Sequence, residues 1–416
     1  MQNIRYSIYR GEPSKDFYMW FCGFTYGEGC FHITSTGDKY FVFKFIIDLH
    51  VDDSPALEFI QKTLGLGKVI MTDKGRKSRF IVQSQKEIME IIKIFSLYPL
   101  QSIKFINFIK FKEAFELYVS YNSTNCREDL NQKINEFRST MNRGITDYLM
   151  PEGKIYQITP HWLLGFIEGE ASFAVIKTKL RLVFNIAQSG VDSALLEAIR
   201  DYFHSFKGVN QGRYADNLVA NISIYTQPPL ASPEVRITKP EGKLYIYNLD
   251  FFNDHLIPWL DSLTWHTKKE KDYQDFKSIL KLKSMGLHHT EEGVRVINLI
   301  LRQMNSRRLS TNNFDKVDRA LLYVQIEKLL SGPSNFEIKE DGRVYIISLN
   351  KYHTGGIRKP LFLTLKDSNG SVISTFSTRG ECAKFLGVSE NTVTTRVQGE
   401  KAFLFKGQWV SLLKGV

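Results

Sequence analysis

Apolar and polar positions change period repeatedly along this chain, and each change marks an element. Apolar runs around Trp20 and Trp162 read as helices. The second opens with Thr159-Pro160, an N-cap followed by proline in the first turn. After Glu28 the pattern switches to alternation, with Phe31 and Ile33, then Tyr40, Val42 and their neighbours, as strands around a Thr-Gly-Asp turn. Residues 53–64 and 192–206 return to helical spacing.

These elements occur twice. WFCGFTYGEGCF at 20–31 reads onto WLLGFIEGEASF at 162–173 with a shift of 142. At a shift of 139, Phe45, Ile47, Asp53, Leu57, Glu58 and Ile60 meet Phe184, Ile186, Asp192, Leu196, Glu197 and Ile199. NFIKFK (107–112) meets DYQDFK (272–277) at 165, and Ile134, Asn135, Met141 and Asn142 meet Ile297, Asn298, Met304 and Asn305 at 163. Matches in unbroken order mean duplication. The second copy loses three residues in its first hairpin and gains 26 near Tyr225–Lys243, a proline-containing loop. The expected fold class is α+β: two pseudo-symmetric halves, 1–150 and 151–330, joined by a polar stretch.

Gly23 and Gly27, like Gly165 and Gly169, lie four apart and share one helix face. Each costs its helix roughly 1 kcal/mol, so a close helix–helix contact is the expected compensation. A hinge is the alternative. Glu28 and Glu170 close the same helices, where the dipole disfavours a carboxylate. Packing through the glycine faces brings the two acids together across a pseudo-twofold axis, which calls for a cation between them. A divalent ion with oxygen ligands and retained water, Mg²⁺ first, fits that need. Carboxylates sharing metals beside a basic surface point to in-line phosphodiester hydrolysis; exposed glutamates at helix ends are the alternative.

Charge supports a polyanionic partner. The 416 residues carry 55 Lys and Arg against 44 Asp and Glu, a net +11. The last 66 residues are the most basic, with ten Lys and Arg against four Asp and Glu. No apolar run approaches the roughly 18 residues of a membrane span. Four scattered cysteines without a CxxC pair argue against zinc and against a disulfide framework. The first 15 residues are basic without an apolar signal core, so secretion is not expected. Abundant Phe, Tyr, Lys, Ile and Asn suit A/T-rich coding DNA and hint at an organellar, mitochondrial origin.

FCGFTYGEG (21–29) and LLGFIEGEA (163–171) resemble the two motifs of single-chain LAGLIDADG homing endonucleases, and the resemblance covers about 1–330. It implies αββαββα halves whose sheets form a saddle over DNA, with a divalent metal held by the acid at the eighth motif position, here Glu28 and Glu170. At the sixth position stand Tyr26 and Glu168, which the resemblance does not make ligands. Ala171 ends the second motif where the first has Gly29, and carries strain if its φ must be positive. Gln188 is similar to a family glutamine that orients metal-bound water; its twin is Leu49. Lys104 and Lys269 begin helices where the family often holds an active-site lysine. For each, an ordinary helix-surface lysine is the alternative, and Lys268 is a neighbouring candidate. The implied cofactor is Mg²⁺, with Ca²⁺ or Mn²⁺ substituting for binding; two motifs in one chain make a monomer sufficient.

DNA reading falls to the solvent side of the strands. The candidates are Thr34, Thr36, Lys39, Lys44 and Asp48; Arg76, Lys77, Ser78 and Arg79; then Lys177, Lys179, Arg181 and Asn185. Beyond a connector with one strand (331–359), residues 360–416 read as a hairpin around Asn369-Gly370 and then a helix-turn-helix. Thr378 and Glu381 make a capping box, Ala383, Gly387 and Val393 hold the helix-turn-helix spacing, and Ser389 caps the second helix. This segment resembles the modular helix-turn-helix found after homing endonuclease cores, with Glu390, Asn391, Thr392, Thr395 and Arg396 as candidate contacts; a small structural cap is the alternative. The expected activity is cleavage of both strands of a long asymmetric double-stranded DNA target. The rivals are an intron maturase binding host intron RNA and an inactive DNA-binding protein.

Overall fold

The computed structural model describes residues 13–36, 40–101, 103–121, 127–145, 155–189, 192–206, 220–225, 241–312, 316–353, 363–376, 379–399 and 402–414. Its contacts divide the chain into two units: 1–206, 219–281 and 296–326 in the first, 207–218, 282–295 and 327–416 in the second.

The first unit is built twice from one plan. Helix α1 (Lys15–Glu28) leads into β1 (Gly29–Thr36) and β2 (Tyr40–His50), followed by α2 (Ser54–Leu64), β3 (Lys68–Thr72), β4 (Lys77–Val82), α3 (Gln85–Leu97), α4 (Ile103–Ser120) and α5 (Arg127–Ser139). The second copy runs α6 (Pro160–Glu170), β5 (Ala171–Ile176), β6 (Arg181–Ser189), α7 (Ser193–His204), β7 (Ala220–Tyr225) and β8 (Glu241–Ile246). Short helices α8 (Leu249–Phe251) and α9 (Ile257–Asp261), joined through a π-turn, precede α10 (Lys269–Ser284), α11 (Glu291–Leu301) and α12 (Arg319–Leu330). The antiparallel sheets have equivalent strand orders, β1-β2-β4-β3 and β5-β6-β8-β7.

Alternation sets each sheet's two faces. Along β2, Phe41, Phe43, Phe45, Ile47 and Leu49 are buried, while Val42, Lys44, Ile46, Asp48 and His50 stay partly open. The buried face packs the same aromatic positions in both copies. Phe31 lies 5.3 Å from Phe45 and 5.3 Å from Phe111; its twin Phe173 lies 5.3 Å from Phe184 and 5.4 Å from Phe276. Asn142 and Asn305, both at positive φ, donate to the carbonyls of Phe31 and Phe173 at 3.0 and 3.1 Å.

The caps follow the sequence. The Thr159 hydroxyl accepts from the Trp162 amide at 3.3 Å with Pro160 in the first turn, and Ser14 caps α1 likewise. The long insertion lies between β7 and β8, and its residues 226–240 fall outside the described set.

In the second unit, residues 331–359 hold three short antiparallel strands where one was expected: β9 (Phe336–Ile338), β10 (Val344–Ile346) and β11 (Lys351–Tyr352). Asn335 anchors them, its side-chain amide reaching the Gly286 carbonyl and the Ser348 hydroxyl, both at 2.9 Å. The tail folds as β12 (Leu363–Asp367), β13 (Val372–Phe376), α13 (Arg379–Leu386), α14 (Glu390–Gly399), β14 (Phe403–Phe405) and β15 (Gln408–Lys414), with strand order β13-β12-β15-β14. Gly370 turns the expected hairpin at φ 81°, Gly387 turns between the helices at φ 64°, and Ala383 and Val393 are buried with Leu365 and Leu412. Ser389 caps α14 through the Thr392 amide at 3.2 Å. The closing hairpin β14–β15, which completes this sheet, was not expected. Thr378, of the expected capping box, lies outside the described residues.

Candidate active site

The two motif helices, α1 and α6, meet through their glycines. A Cβ on Gly23 would sit 1.9 Å from the Trp162 carbonyl oxygen, and one on Gly165 would sit 2.0 Å from that of Trp20. Gly27 and Gly169 lie face to face, the Gly169 position meeting the Gly27 Cα at 3.3 Å. Only hydrogen in place of a side chain allows so close a crossing, so the glycines are a seam and not a hinge.

Glu28 and Glu170 end these helices together. A Cβ on Gly27 would meet the Glu170 Oε1 at 3.1 Å, so the carboxylate of one helix lies against the other. Burial pushes the Glu28 carboxyl up to about 7, with Glu170 and Asp53 adding to the rise and Lys269 and Lys104 opposing it. Burial likewise raises Glu170, against the pull of both lysines, and the buried Gln188 Nε2 has no hydrogen-bond partner among the described residues. Burial makes these acids costly to ionise where they stand, a cost that a bound cation would offset.

Neither lysine is a surface residue. Lys104 Nζ donates to the Gly29 carbonyl, and Lys269 Nζ donates to the twin carbonyl of Ala171 at 2.6 Å and to Gly169 at 3.3 Å. Burial lowers the pKa of both, and Glu28 and Glu170 oppose that shift. Lys268 does not compete for this place, since its Nζ pairs with Asp53 at 2.5 Å.

Aspartates from the opposite copies set the lysine helices. Asp53 accepts the amide of Lys268 at 2.8 Å, just ahead of α10; its twin Asp192 accepts the amide of Ile103 at 3.3 Å, the first residue of α4. Sequence reasoning matched these aspartates as twins but gave them no role. The available signal was that an acid persisted at a helix start in both copies.

The sixth motif positions are structural. Glu168 is buried and accepts from the Trp20 indole, the amides of His266 and Thr267 at 2.8 and 2.7 Å, and the Thr267 hydroxyl at 3.0 Å. In the first copy Tyr26 donates to Asp192 at 2.6 Å and to Gln188 at 2.9 Å. The Trp162 indole, twin of the one Glu168 receives, has no partner among the described residues. Glu168→Gln is expected to lower stability by about 2 kcal/mol, since two amide protons must face donors. A urea melt unchanged from the unmodified protein would refute that role.

Ala171 sits at φ −77° in extended backbone, so the strain expected of a positive φ does not arise. Gly29 is also extended; its lack of a side chain answers to Thr25, whose Cγ2 lies 2.5 Å from where a Cβ would be.

The sheet surface needs one correction. Ser78 is fully buried because it faces inward between Lys77 and Arg79, so four consecutive residues cannot share the open face. Asp48 and Arg79 form a two-pronged ion pair across that face at 2.6 and 2.7 Å, and Arg76 pairs with Asp73 at 2.8 Å. Thr34 and Lys44 lie on the first open face, with Asn185 and Arg181 on the second. Arg181 stacks on Tyr247 at 5.6 Å. Lys177 and Lys179 are exposed in the β5–β6 turn. The Thr36 side chain, Lys39 and the side chains of Glu390 and Asn391 lie outside the described residues. On α14, Thr395 is exposed, Thr392 is half-buried, and the Arg396 guanidinium stacks on Phe403 at 3.8 Å.

Among the described residues no group of three or more His, Cys, Asp and Glu side chains is gathered as a metal site. The two glutamates with their open coordination suit a hard ion that keeps water and substrate oxygens among its ligands, and do not suit zinc.

In fold and motif the core of this chain is similar to LAGLIDADG endonucleases. Residues 21–115 match the family described as LAGLIDADG endonuclease. The solved I-LtrWI LAGLIDADG homing endonuclease bound to target DNA is similar over 70% of this chain and 99% of its own, at 25% identity and a TM-score of 0.57. Among curated proteins, the uncharacterized mitochondrial protein RF1 of Saccharomyces cerevisiae is 28% identical over 94% of this chain and 80% of its own length. A Schizosaccharomyces pombe protein named "Probable intron-encoded endonuclease Cox1-I1b" is 28% identical over 51% of this chain and 57% of its own.

Proposed function

We propose that the chain is a site-specific, Mg²⁺-dependent DNA endonuclease that hydrolyses one phosphodiester on each strand of a long, asymmetric target and acts as a monomer in the mitochondrion. The observation that carries this reading is the pairing of Glu28 and Glu170 across the glycine seam, with a half-buried lysine on the carbonyl that closes each motif.

Glu28 and Glu170 would hold the metal, which supplies activation of the attacking water and neutralisation of charge on the phosphate. Gln188, whose buried Nε2 has no partner among the described residues, would orient what binds beside Glu170. Lys104 and Lys269 hold positive charge where charge builds on the phosphate. The open sheet faces carry Thr34, Lys44, Lys77 and the Arg79–Asp48 pair, then Arg181 and Asn185, to meet base edges and phosphates. Thr392 and Thr395 of α14 would add a second contact through the tail.

The test is purified protein with DNA spanning its own gene's insertion site, in Mg²⁺ for cutting and in Ca²⁺ for binding. Two cuts, one per strand, are expected; binding without cutting would refute the catalytic reading. In the same assay Lys104→Met and Lys269→Met are each expected to slow cleavage by about 10²-fold with Ca²⁺ affinity within a few-fold. Equal losses in rate and affinity would make the lysines binding groups instead.

A further inference from the structure

Seven cations and one carboxylate, Asp52, line a cavity of about 460 Å³ where α10 begins and the chain leaves α11. Two of its lining side chains are nine-tenths buried and each presents an unused donor. Arg308 is held on one side by Asp272 at 2.9 Å and by Asp275, yet its Nη1 has no partner among the described residues. Arg319 bridges Asp275 at 3.3 Å and the Gln303 Oε1 at 3.4 Å, which leaves the buried Gln303 Nε2 unpaired in the same way.

A buried donor without an acceptor costs about 1–3 kcal/mol. Both missing partners are acceptors, in a cavity whose surplus charge is positive. The carboxylates at hand are already engaged: Asp52 by the Ser310 amide at 2.8 Å, Asp53 by Lys268. An oxyanion is the kind of acceptor that would meet these needs.

The cavity's position selects among oxyanions. Ser310 and Asp52 stand beside Thr311 and His50, which meet at 2.9 Å, and His50 ends the open face of β2 opposite Lys77. At its other side Lys268 precedes Lys269, which touches the second motif's carbonyl. We infer that this cavity is a phosphate subsite for the DNA backbone next to the scissile position. The inference rests on the proposed reading of the sheets as the DNA surface.

The experiment uses the full chain and a mixed-sequence DNA duplex of about three helical turns. Binding is followed in Ca²⁺ over a range of KCl for the unmodified protein, for Lys271→Ala with Lys316→Ala on the cavity rim, and for Gln303→Leu. A Lys86→Ala with Lys133→Ala pair is the control for net charge. The rim pair is expected to flatten the slope of log K against log salt by about 1–2, since each phosphate contact contributes about 0.9. Gln303→Leu is expected to weaken binding about tenfold with an unchanged melting temperature, and the control pair to leave the slope alone. A slope unmoved by the rim pair, or moved equally by the control, overturns the subsite.

Two parallel arms identify the anion's source. Pyrophosphate that raises the melting temperature while the duplex slope stays fixed would reassign the cavity to a free polyphosphate. A slope change with duplex RNA alone would reassign it to RNA. A chain that cuts no DNA but shows the expected slope change would lose the endonuclease reading and keep the subsite.

Discussion

Glu28→Gln is expected to abolish cleavage, by about 10³-fold or more, while making the metal-free protein more stable. The two effects have one cause. Burial and the neighbouring Glu170 raise the Glu28 carboxyl from 4.5 to about 7. Between those values the folded protein binds a proton that the unfolded chain has released, so stability falls as pH rises through that window. The loss totals about 3 kcal/mol, complete above pH 7 and absent below pH 4.5. Glutamine cannot ionise and escapes the penalty. In EDTA at pH 8 the variant should therefore melt about 5 °C above the unmodified protein, and the gap should close by pH 4. Ca²⁺ should raise the melting temperature of the unmodified protein and scarcely move the variant. Retained cleavage would remove Glu28 from the catalytic centre. A melting difference that ignores pH would remove the buried-acid explanation.

Substitutions along the glycine seam should have effects graded by position. Gly23→Ala places a methyl 1.9 Å from the Trp162 carbonyl oxygen, which backbone cannot yield, so α1 and α6 must separate. The expected cost is about 3 kcal/mol, set against the roughly 1 kcal/mol that alanine returns in helix propensity. Gly165→Ala should behave the same, because its methyl meets the Trp20 carbonyl at 2.0 Å. Gly169→Ala meets the Gly27 Cα at 3.3 Å and nothing else nearer than 3.8 Å, and should cost clearly less than Gly23→Ala. Gly27→Ala meets both the Glu170 carboxylate and the Gly169 Cα at 3.1 Å, so it should lose cleavage together with part of its stability. Urea denaturation of the four variants, with cleavage measured on each, checks the ranking. A Gly23→Ala protein as stable as Gly169→Ala would show that the helices do not cross where the glycines put them.

The seam and its acids were legible because duplication repeats a constraint. Gly23, Gly27 and Glu28 recur at one fixed shift, and only a contact between the copies requires both sets. The resemblance to the family motif, and not the repeat, separated Glu170 from Glu168, which stands at the sixth motif position. What stayed hidden depends on partners distant in sequence. Asp53 and Asp192 were visible as twins, but each acts on a helix of the other copy, which no local pattern records. Ser78 was misplaced because a run of basic residues on either side masked the period of two. The three strands after Ser334 and the closing hairpin are short pieces held by pairing, with little periodicity of their own.

The exchange of caps between copies has a consequence for how this protein can be taken apart. Asp192 starts the helix that carries Lys104 to the Gly29 carbonyl, and Asp53 does the same for the helix that carries Lys269 to Ala171. Each half thus holds a component of the other's chemistry. A half grafted onto a foreign partner brings a helix whose start must be supplied by that partner, so a recombinant is expected to keep both lysines in place only if both aspartates travel with it. The two copies, alike by duplication, are no longer interchangeable, because each completes the other.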